Sequence, residues 1–393
     1  MIDKIKSLSS EFFEEIRSIR RHIHMNPELS FQEVETGKYI CQILDNWGIE
    51  YQYPVAENGI IALVKGIEGG PVRALRADID ALPIQEINDI DYKSKNEGIM
   101  HACGHDVHSS SALGAIKILH TLRNEWKGQV KVLFQPGEEK LPGGASIMIA
   151  EGALENPEPE YIVGQHVHPP LEVGKVGFRP KTYMASADEI RLTVIGKGGH
   201  AALPQNNVDP ILVAANILVQ LQQIISRKSN PTIPNVLSFG KINTQGGATN
   251  IIPNRVFIEG TFRTMDEAWR KEAHEHIRKI CSNIAESMGA ICEVDISVGY
   301  PCLYNDEKAT SKAIKLAETY LGRENVVALP LRMTSEDFAF YSQKIPACFY
   351  RLGTGNQVKG ITSPVHTNTF NIDEEALKIG MGLMAYLVIN DAN

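Results

Sequence analysis

The sequence has few cysteines, and they form no dense framework. Six cysteines are dispersed among 393 residues, at positions 41, 103, 281, 292, 302 and 348. Small secreted domains instead concentrate their cysteines at short spacings to build disulfides. The sparse distribution favours a chain that resides in a reducing cytoplasm.

Long apolar runs, basic stripes and internal repeats are also missing. No segment reaches the roughly 20 consecutive apolar residues that a membrane helix needs. The N-terminal stretch "MIDKIKSLSSEFFEEIRSIRRHIH" lacks the apolar core of a signal sequence and has the pattern of an amphipathic helix. With a net charge of −8 and interleaved signs, no Lys and Arg stripe could neutralise phosphates. We therefore expect neither a membrane nor a nucleic acid as a partner.

The pattern of elements predicts an α/β protein. The chain is 43% hydrophobic and long enough for two domains with cores. Short apolar runs ("GIIALVKG", "PVRALRADID", "QVKVLFQPGEE", "EYIVGQHVHP") alternate with helical patterns such as "DVHSSSALGAIKILHTLRNEW". Such alternation is typical of a mostly parallel central sheet covered by helices.

A segment with a different pattern interrupts this order. Between about Ala185 and Val298 the apolar spacing predicts strand, helix, strand, strand, helix and strand. This βαββαβ order is that of a ferredoxin-like domain, in which two helices cover one sheet face. We therefore expect an inserted domain at 185–298, between the two parts of the larger domain, 1–184 and 299–393.

Chemically reactive residues follow several of the predicted strands. They are Asp78 and Asp80 after the run ending at Leu75, Glu138 and Glu139 after "KVLFQP", and His166 and His168 after "YIVG". In open α/β sheets, functional groups gather beyond the carboxyl ends of strands. The stretch "MHACGHDVHSS" precedes a predicted helix and could lie at the same edge.

Cys103 and His105 suit a late divalent metal such as zinc. Two residues apart, their side chains would share a face of an extended segment. An isolated C-x-H is more often a buried free cysteine beside a surface histidine. His101 and His108 fit either packing or the support of a ligand.

The pair Glu138 and Glu139 is unusual for its position after an apolar strand and a Pro-Gly turn. Two like charges at a sheet end are costly unless a cation neutralises them. One glutamate could then bind the metal while its neighbour moves protons, as metal-assisted hydrolysis requires.

Six ordered motifs resemble a known family. "MHACGHDVH", "FQPGEE", "GQHVHP", "GKGGHAALP", "NIIPNRVFIEGTFR" and "SEDFAFY" are similar in order and spacing to the aminoacylase, hippurate hydrolase and indoleacetyl-amino-acid hydrolase family of dinuclear metallopeptidases. The similarity extends from "HMNPELSFQEVET" to "FNIDEEAL". That family has a catalytic α/β domain with an inserted lid domain.

The resemblance implies roles for particular residues in the catalytic domain. Those implied to bind the two metal ions are Cys103, His105, Glu139, His166 and His366, with Glu138 as general acid and base. The usual proline between the last ligand and its phenylalanine is absent here, since the sequence reads "HTNTF". Asp80 resembles the carboxylate that orients a ligand imidazole, whereas Asp78 takes the place of a ligand histidine and is not counted as a ligand. For both aspartates, an ordinary salt bridge is the alternative to a role at the metal site. His168 is the alternative to His166 as the metal ligand.

The lid is expected to contribute three further residues. The resemblance implies that His200 donates to the substrate carbonyl oxygen. Arg263, whose guanidinium matches a carboxylate, and Asn250 would bind the free carboxylate of the substrate. A surface ion pair is the alternative for Arg263.

The implied activity is metal-dependent hydrolysis of N-acyl-L-amino acids of the N-acetyl, hippurate or indoleacetyl type, by a homodimer joined through the lid. Zinc, manganese, nickel and cobalt all suit the implied ligands. Within the same superfamily, deacetylation of N-acetyl-diaminopimelate and dipeptidase or carboxypeptidase activity are alternatives. A hydrolase with a cysteine nucleophile and a non-enzymatic metal-binding protein are alternatives from other classes.

Overall fold

The computed structural model describes residues 1–390. The α-helices, in chain order, are α1 (Ile2–Glu11), α2 (Phe13–Met25), α3 (Val34–Trp47), α4 (His105–Thr121), α5 (Gly144–Ala150), α6 (Pro210–Gln223), α7 (Glu267–Ser287), α8 (Glu307–Leu321), α9 (Ala339–Ser342) and α10 (Ala376–Ile389). Within residues 1–390, no helix is both long enough and apolar enough to cross a membrane.

The strands are β1 (Glu50–Val55), β2 (Gly59–Lys65), β3 (Ile67–Asp78), β4 (Lys127–Gln135), β5 (Ile162–Glu172), β6 (Val176–Phe178), β7 (Lys181–Met184), β8 (Asp188–Ile195), β9 (Gly199–His200), β10 (Asn235–Thr244), β11 (Ile251–Ile252), β12 (Arg255–Thr264), β13 (Ile291–Val298), β14 (Leu303–Asn305), β15 (Val326–Ala328) and β16 (Ala347–Gly355). The chain divides into two compact units. Unit 1 holds residues 1–181, 304–330 and those from 337 onward, and unit 2 holds 182–303 and 331–336.

Unit 1 is built on an eight-stranded sheet in the order β1-β2-β4-β3-β5-β16-β6-β15. The central strands β4, β3, β5 and β16 run parallel, and the antiparallel pairs lie toward the ends. Every residue of β16 is buried, as expected for a parallel strand that is covered on both faces. Helices α4 and α10 belong to the same core and are buried along most of their lengths. The predicted α/β class with a mostly parallel central sheet is confirmed.

The register of unit 1 brings two strand ends together. Asp78, the last residue of β3, lies beside Gln135, the last residue of β4. Because these neighbouring strands are parallel, the loops that carry Asp80 and Glu138 leave the same edge of the sheet.

Unit 2 has a four-stranded antiparallel sheet in the order β10-β12-β8-β13. Strand β8 alternates buried with more exposed residues, and its buried side packs with α6 and α7 in one apolar core. This is the ferredoxin-like arrangement expected for the insertion. The unit also takes in residues 331–336, where Ala185 donates to the Arg332 carbonyl. Local sequence patterns could not reveal this return of the chain.

Candidate metal centre

Unit 1 brings the five expected ligand residues into two overlapping groups. In one group, ligand atoms of Cys103, His105 and His166 all lie within 4.8 Å of one another. In the other, the same holds for Cys103, Glu139 and His366. Cys103 belongs to both groups, so the described residues hold a candidate site for two metal ions with a shared thiolate.

The local structure around Cys103 differs from the expected extended segment. Cys103 lies in a turn, Gly104 has the left-handed φ of 79°, and His105 is the first residue of α4. A Cβ at Gly104 would lie 2.6 Å from a methyl carbon of Val167. The expectation that an extended strand directs both ligands is therefore wrong, because a tight glycine turn and a helix start direct them.

One nitrogen of the His105 ring is hydrogen-bonded, and the other lies 3.6 Å from Asp78 Oδ2. Nδ1 lies 2.9 Å from the backbone oxygen and 3.0 Å from Oδ1 of Asp80. Nε2 is buried without a hydrogen-bond partner. Asp80 is held in turn by the hydroxyl of Ser30 at 2.7 Å and the backbone N–H of Glu139 at 3.0 Å. An imidazole that donates Nδ1–H to oxygen and presents a bare Nε2 is the usual form of a metal ligand.

In His166, Nδ1 is likewise hydrogen-bonded to a backbone oxygen. Its Nδ1 donates to the Val167 carbonyl at 2.8 Å, and its Nε2 lies 3.4 Å from Cys103 Sγ. His168 shares the strand β5 but belongs to none of the candidate ligand groups within residues 1–390.

Glu139 and His366 face each other without a hydrogen bond. His366 Nε2 lies 3.1 Å from Glu139 Oε1, yet that buried oxygen has no partner with hydrogen-bond geometry. His366 has a positive φ of 62° and donates its backbone N–H to Ala102 at 2.7 Å. Such strained backbone persists only where surrounding contacts enforce it and is concentrated at functional sites. The loop reaches the site although the usual proline is absent.

Glu138 lies beside these groups. It is 7% exposed, and one of its carboxylate oxygens lies within 4.8 Å of ligand atoms of His105 and Glu139. It follows Gly137, whose φ of 62° lets the chain turn sharply after β4.

Asp78 and His108 also lie near His105, but protein groups already bind them. Asp78 accepts from Arg76 at 2.6 Å and from His108 Nδ1 at 2.5 Å. The other nitrogen of His108 accepts the backbone N–H of Val167 at 2.8 Å. Both ring nitrogens of His108 are thus hydrogen-bonded. Asp78 forms a salt bridge with Arg76, as the alternative to a role at the metal site proposed. Ser30 and Arg76 were not foreseen, since no short motif marks them.

The carboxylates give the site a negative field. Burial lowers the pKa of His105, but Asp78 and Asp80 outweigh it and raise that pKa to about 10. Burial, reinforced by Glu139 and Glu138, raises the pKa of the Cys103 thiol well above its usual value. Burial lowers the pKa of His166 well below its usual value. The negative field that favours a proton on His105 would also attract divalent cations. Binding a cation at His105 would release that proton.

Unit 2 places two of its three expected site residues close together, His200 in β9 and Asn250 directly before β11. His200 in β9 pairs with Ile251 in β11, and Ala201 donates its N–H to the Asn250 carbonyl. The Nδ1 atom of His200 accepts the N–H of Ala202 at 3.1 Å. In the neutral ring the proton therefore sits on Nε2, which makes His200 a donor at its exposed edge.

Arg263 is partly buried in unit 2. Its Nη1 atom donates to the Met333 carbonyl at 3.2 Å and contacts the Ser335 hydroxyl at 3.4 Å. Burial lowers its pKa. Within the described part of the chain no carboxylate forms an ion pair with Arg263, so the surface ion pair considered for it is not present.

The sheet of unit 1 and its paired ligand groups define a class: a metal-dependent hydrolase with a dinuclear site. Residues 74–390 match the model of peptidase family M20/M25/M40, and the chain belongs to that family. The resemblance read from the motifs is thereby confirmed, as is the assignment as a metal-dependent hydrolase of amides.

Individual relatives are similar over nearly the whole chain. An IAA-amino acid hydrolase of Arabidopsis thaliana is 39% identical and aligns over 96% of this chain and 85% of its own. An N-acetylcysteine deacetylase of Bacillus subtilis is 39% identical, over 96% and 97%. The crystal structure of a dinuclear metal-binding M20 peptidase from Bacillus subtilis superposes with a TM-score of 0.82 at 36% identity, covering 97% of this chain and 98% of that one.

Proposed function

We propose that the protein hydrolyses the amide bond of N-acyl-L-amino acids, releasing a carboxylic acid and a free amino acid. One observation carries the proposal: two ligand groups share Cys103, and the additional carboxylate of Glu138 lies beside them. The named relatives that act on an IAA-amino acid conjugate and on N-acetylcysteine support this substrate class.

The ligand set fits two divalent ions. Nε2 of His105 and Oε1 of Glu139 are buried polar atoms to which the protein makes no hydrogen bond. One thiolate, three imidazoles and one carboxylate suit zinc, manganese, nickel or cobalt. Bound ions would supply Lewis acidity and lower the pKa of a water molecule toward neutrality.

Glu138 has the position of the general acid and base. It lies beside the ligand groups and follows the glycine turn after β4. Its carboxylate takes a proton from the attacking water and returns it to the departing amine. Asp80 holds the ring of His105 in place, because its Oδ1 accepts a hydrogen bond from Nδ1–H of that ring.

Unit 2 supplies recognition in this proposal. The Nε2–H of His200 donates to the substrate carbonyl oxygen as it gains negative charge. Arg263, which has no ion-pair partner within residues 1–390, binds the free carboxylate, and Asn250 adds a hydrogen bond. A partly buried guanidinium whose contacts within residues 1–390 are neutral oxygens favours an anionic ligand, because no protein charge offsets its own.

Unit 2 is also the proposed homodimer interface. Ile211, Leu212 and Val219 expose 44%, 55% and 69% of their surface along α6. Strand β10 is an edge strand of ten residues. Apolar helix faces and open strand edges are features of association surfaces. Sedimentation of wild type and of a Val219→Glu variant tests this, since a dimer through α6 would be weakened by the charge.

Two other classes of function stay open to test. Cys103 Sγ lies 3.4 Å from His166 Nε2, a spacing that a thiol nucleophile and its base would also have. The carboxylates around Cys103 disfavour a free thiolate, however, and a thiol hydrolase would leave Glu139 and His366 without a role. A metal-binding protein without activity would bind ions and N-acyl amino acids without turnover.

The deciding experiment is a mass-spectrometric hydrolysis screen on chelated protein with single metals added back. Acetyl, benzoyl and indoleacetyl conjugates, N-acetyl-diaminopimelate and dipeptides form the substrate panel. We expect turnover of N-acyl amino acids that requires metal. Turnover that survives complete metal removal would support the thiol hydrolase, and cleavage of dipeptides alone would support the peptidase alternative.

A further inference from the structure

We infer that Glu33 is a positioning residue, which fixes the turn carrying Glu138 and Glu139 by accepting the backbone N–H of Gly137. The inference rests on the proposed role of Glu138. It assigns a task to a second residue of the motif "HMNPELSFQEVET", beside Ser30, which holds Asp80.

The hydrogen bond that carries the inference is buried and long-range. Gly137 N–H donates to Glu33 Oε1 at 2.8 Å, across 104 residues of sequence. Glu33 has no exposed surface, and its other oxygen lies 3.4 Å from the amide nitrogen of Asn58. Although Glu33 directly precedes α3, its carboxylate does not cap that helix. A buried carboxyl group that does not cap its own helix needs other partners, and the shorter of these two contacts of Glu33 is the one with Gly137.

Packing holds the same turn. The ring of Phe31 lies so close to Gly137 that a Cβ there would be 2.4 Å from the ring. Phe31 itself has a positive φ of 66°, and its carbonyl accepts from Asn58 at 3.2 Å. The contact thus joins Phe31, whose backbone is strained, to Gly137, which has no space for a side chain. This close packing restricts the conformations that the turn can adopt.

Residues 28–33 contact the neighbouring strand end as well; we call this segment the clasp. The Glu28 carbonyl accepts the N–H of Ala81 at 2.8 Å, and the Ser30 hydroxyl donates to Asp80 at 2.7 Å. The clasp therefore joins the loop that orients His105 to the turn that carries Glu138. General acid–base catalysis depends on such placement, since a displacement of about 1 Å can cost about a hundredfold in rate.

Three variants of the metal-loaded protein test the inference. Glu33→Ala removes the acceptor. Glu33→Gln keeps an oxygen that can accept from Gly137 and loses only the weaker contact with Asn58. Glu28→Ala is the matched control, because the Glu28 carboxylate accepts from Glu35, from the N–H of Thr36 and from its hydroxyl, all at the start of α3 and away from the turn.

Hydrogen exchange of the peptide spanning residues 133–143 gives a measurement that does not depend on the reaction. We expect the amides of this peptide to exchange at least about tenfold faster in Glu33→Ala, and at nearly the wild-type rate in Glu33→Gln and Glu28→Ala. This result is independent of which amide the enzyme cleaves, so it separates the inference from the proposed substrate class.

Kinetics on the substrate found by the screen complete the test. Glu33→Ala should lower kcat by about 10- to 100-fold with KM within about threefold, whereas Glu33→Gln should stay within about fivefold of wild type. Wild-type exchange or wild-type kcat in Glu33→Ala would overturn the inference. So would an equal loss of kcat in Glu28→Ala, because the effect would then be general destabilisation.

Discussion

Each unit buries a cluster of aspartate, histidine and arginine, but the two clusters are completed differently. In unit 2, Asp188 accepts from Arg270 at 2.5 and 2.9 Å, from His274 at 2.7 Å and from the backbone of Gly299 at 3.1 Å. In unit 1, the cluster around Cys103 has two buried atoms without a hydrogen bond. They are His105 Nε2, which lies 3.6 Å from Asp78 Oδ2, and Glu139 Oε1, which lies 3.1 Å from His366 Nε2.

This difference shows which cluster serves stability and which serves chemistry. Every polar group aimed at Asp188 has a protein partner, so adding an ion would gain nothing. Around Cys103 the protein brings together polar atoms that cannot all form hydrogen bonds with one another. A buried polar group without a hydrogen bond is costly. The unit 1 cluster is therefore built for cations, whereas the unit 2 cluster joins α7 to the start of β8.

The largest expected effect is on turnover in Glu138→Gln. Removing the general base should lower kcat by about 10²- to 10⁴-fold, because the proton of the attacking water has no acceptor. Metal analysis should find the same ion content as in wild type, since the five ligand residues are intact. Glu160→Gln, at an exposed position, is the control. Near-normal turnover of Glu138→Gln would refute the general-base assignment.

Matched substitutions in the two clusters sharpen the comparison. Asp188→Ala leaves Arg270 with Glu267 as its remaining ion-pair partner and removes the partner of His274, so it should lower the free energy of unfolding by about 3 kcal/mol. Its metal content should be unchanged. Cys103→Ala should lose bound metal, because both ligand groups contain this residue. Denaturant titration and metal analysis of both variants measure the two effects. Metal loss in Asp188→Ala would contradict the division between the clusters.

A smaller effect is expected for Arg263→Ala. Losing a charge-assisted hydrogen bond to the substrate carboxylate should raise KM by about 10- to 100-fold. Substrates whose carboxylate is replaced by an amide should be little affected. Arg255→Ala, exposed on the same strand, provides the control. Equal losses with carboxylate and amide substrates would exclude the anchoring role.

The smallest expected effect concerns the acid stability of unit 2. Burial raises the pKa of Asp188, but His274 and Arg270 outweigh it, so the pKa in the folded state lies below the ordinary value near 3.8. Its stabilising contribution is therefore complete above about pH 4 and is lost as pH falls through the folded-state pKa. In metal-free protein, Asp188→Asn should flatten the decline of the melting temperature below pH 4. An unchanged decline would show that other carboxylates govern acid unfolding.

Periodicity predicted the elements well because it depends on neighbours within a few residues. The last strand of the predicted insertion, expected to end at about Val298, ends at that residue in the structure. The geometry of the ligands was less predictable. Cys103 and His105 are directed by a left-handed glycine and a helix start, and His366 lies in a loop of positive φ. Single-sequence patterns carry no dihedral angles, so these details could not be read from them.

By itself, the sequence determined the α/β and ferredoxin-like patterns, which follow from local spacing. Through the resemblance of its motifs it also predicted the residues that bind metal. The tertiary structure alone decided which atoms are free. In the folded chain both ring nitrogens of His108 are hydrogen-bonded, to Asp78 and to Val167, whereas Nε2 of His105 has no hydrogen bond. Folding also brings Gly137 to Glu33, which lies 104 residues away in the sequence. Whether a polar atom forms a hydrogen bond depends on partners that are distant in the sequence. Only the folded backbone determines how close those partners lie.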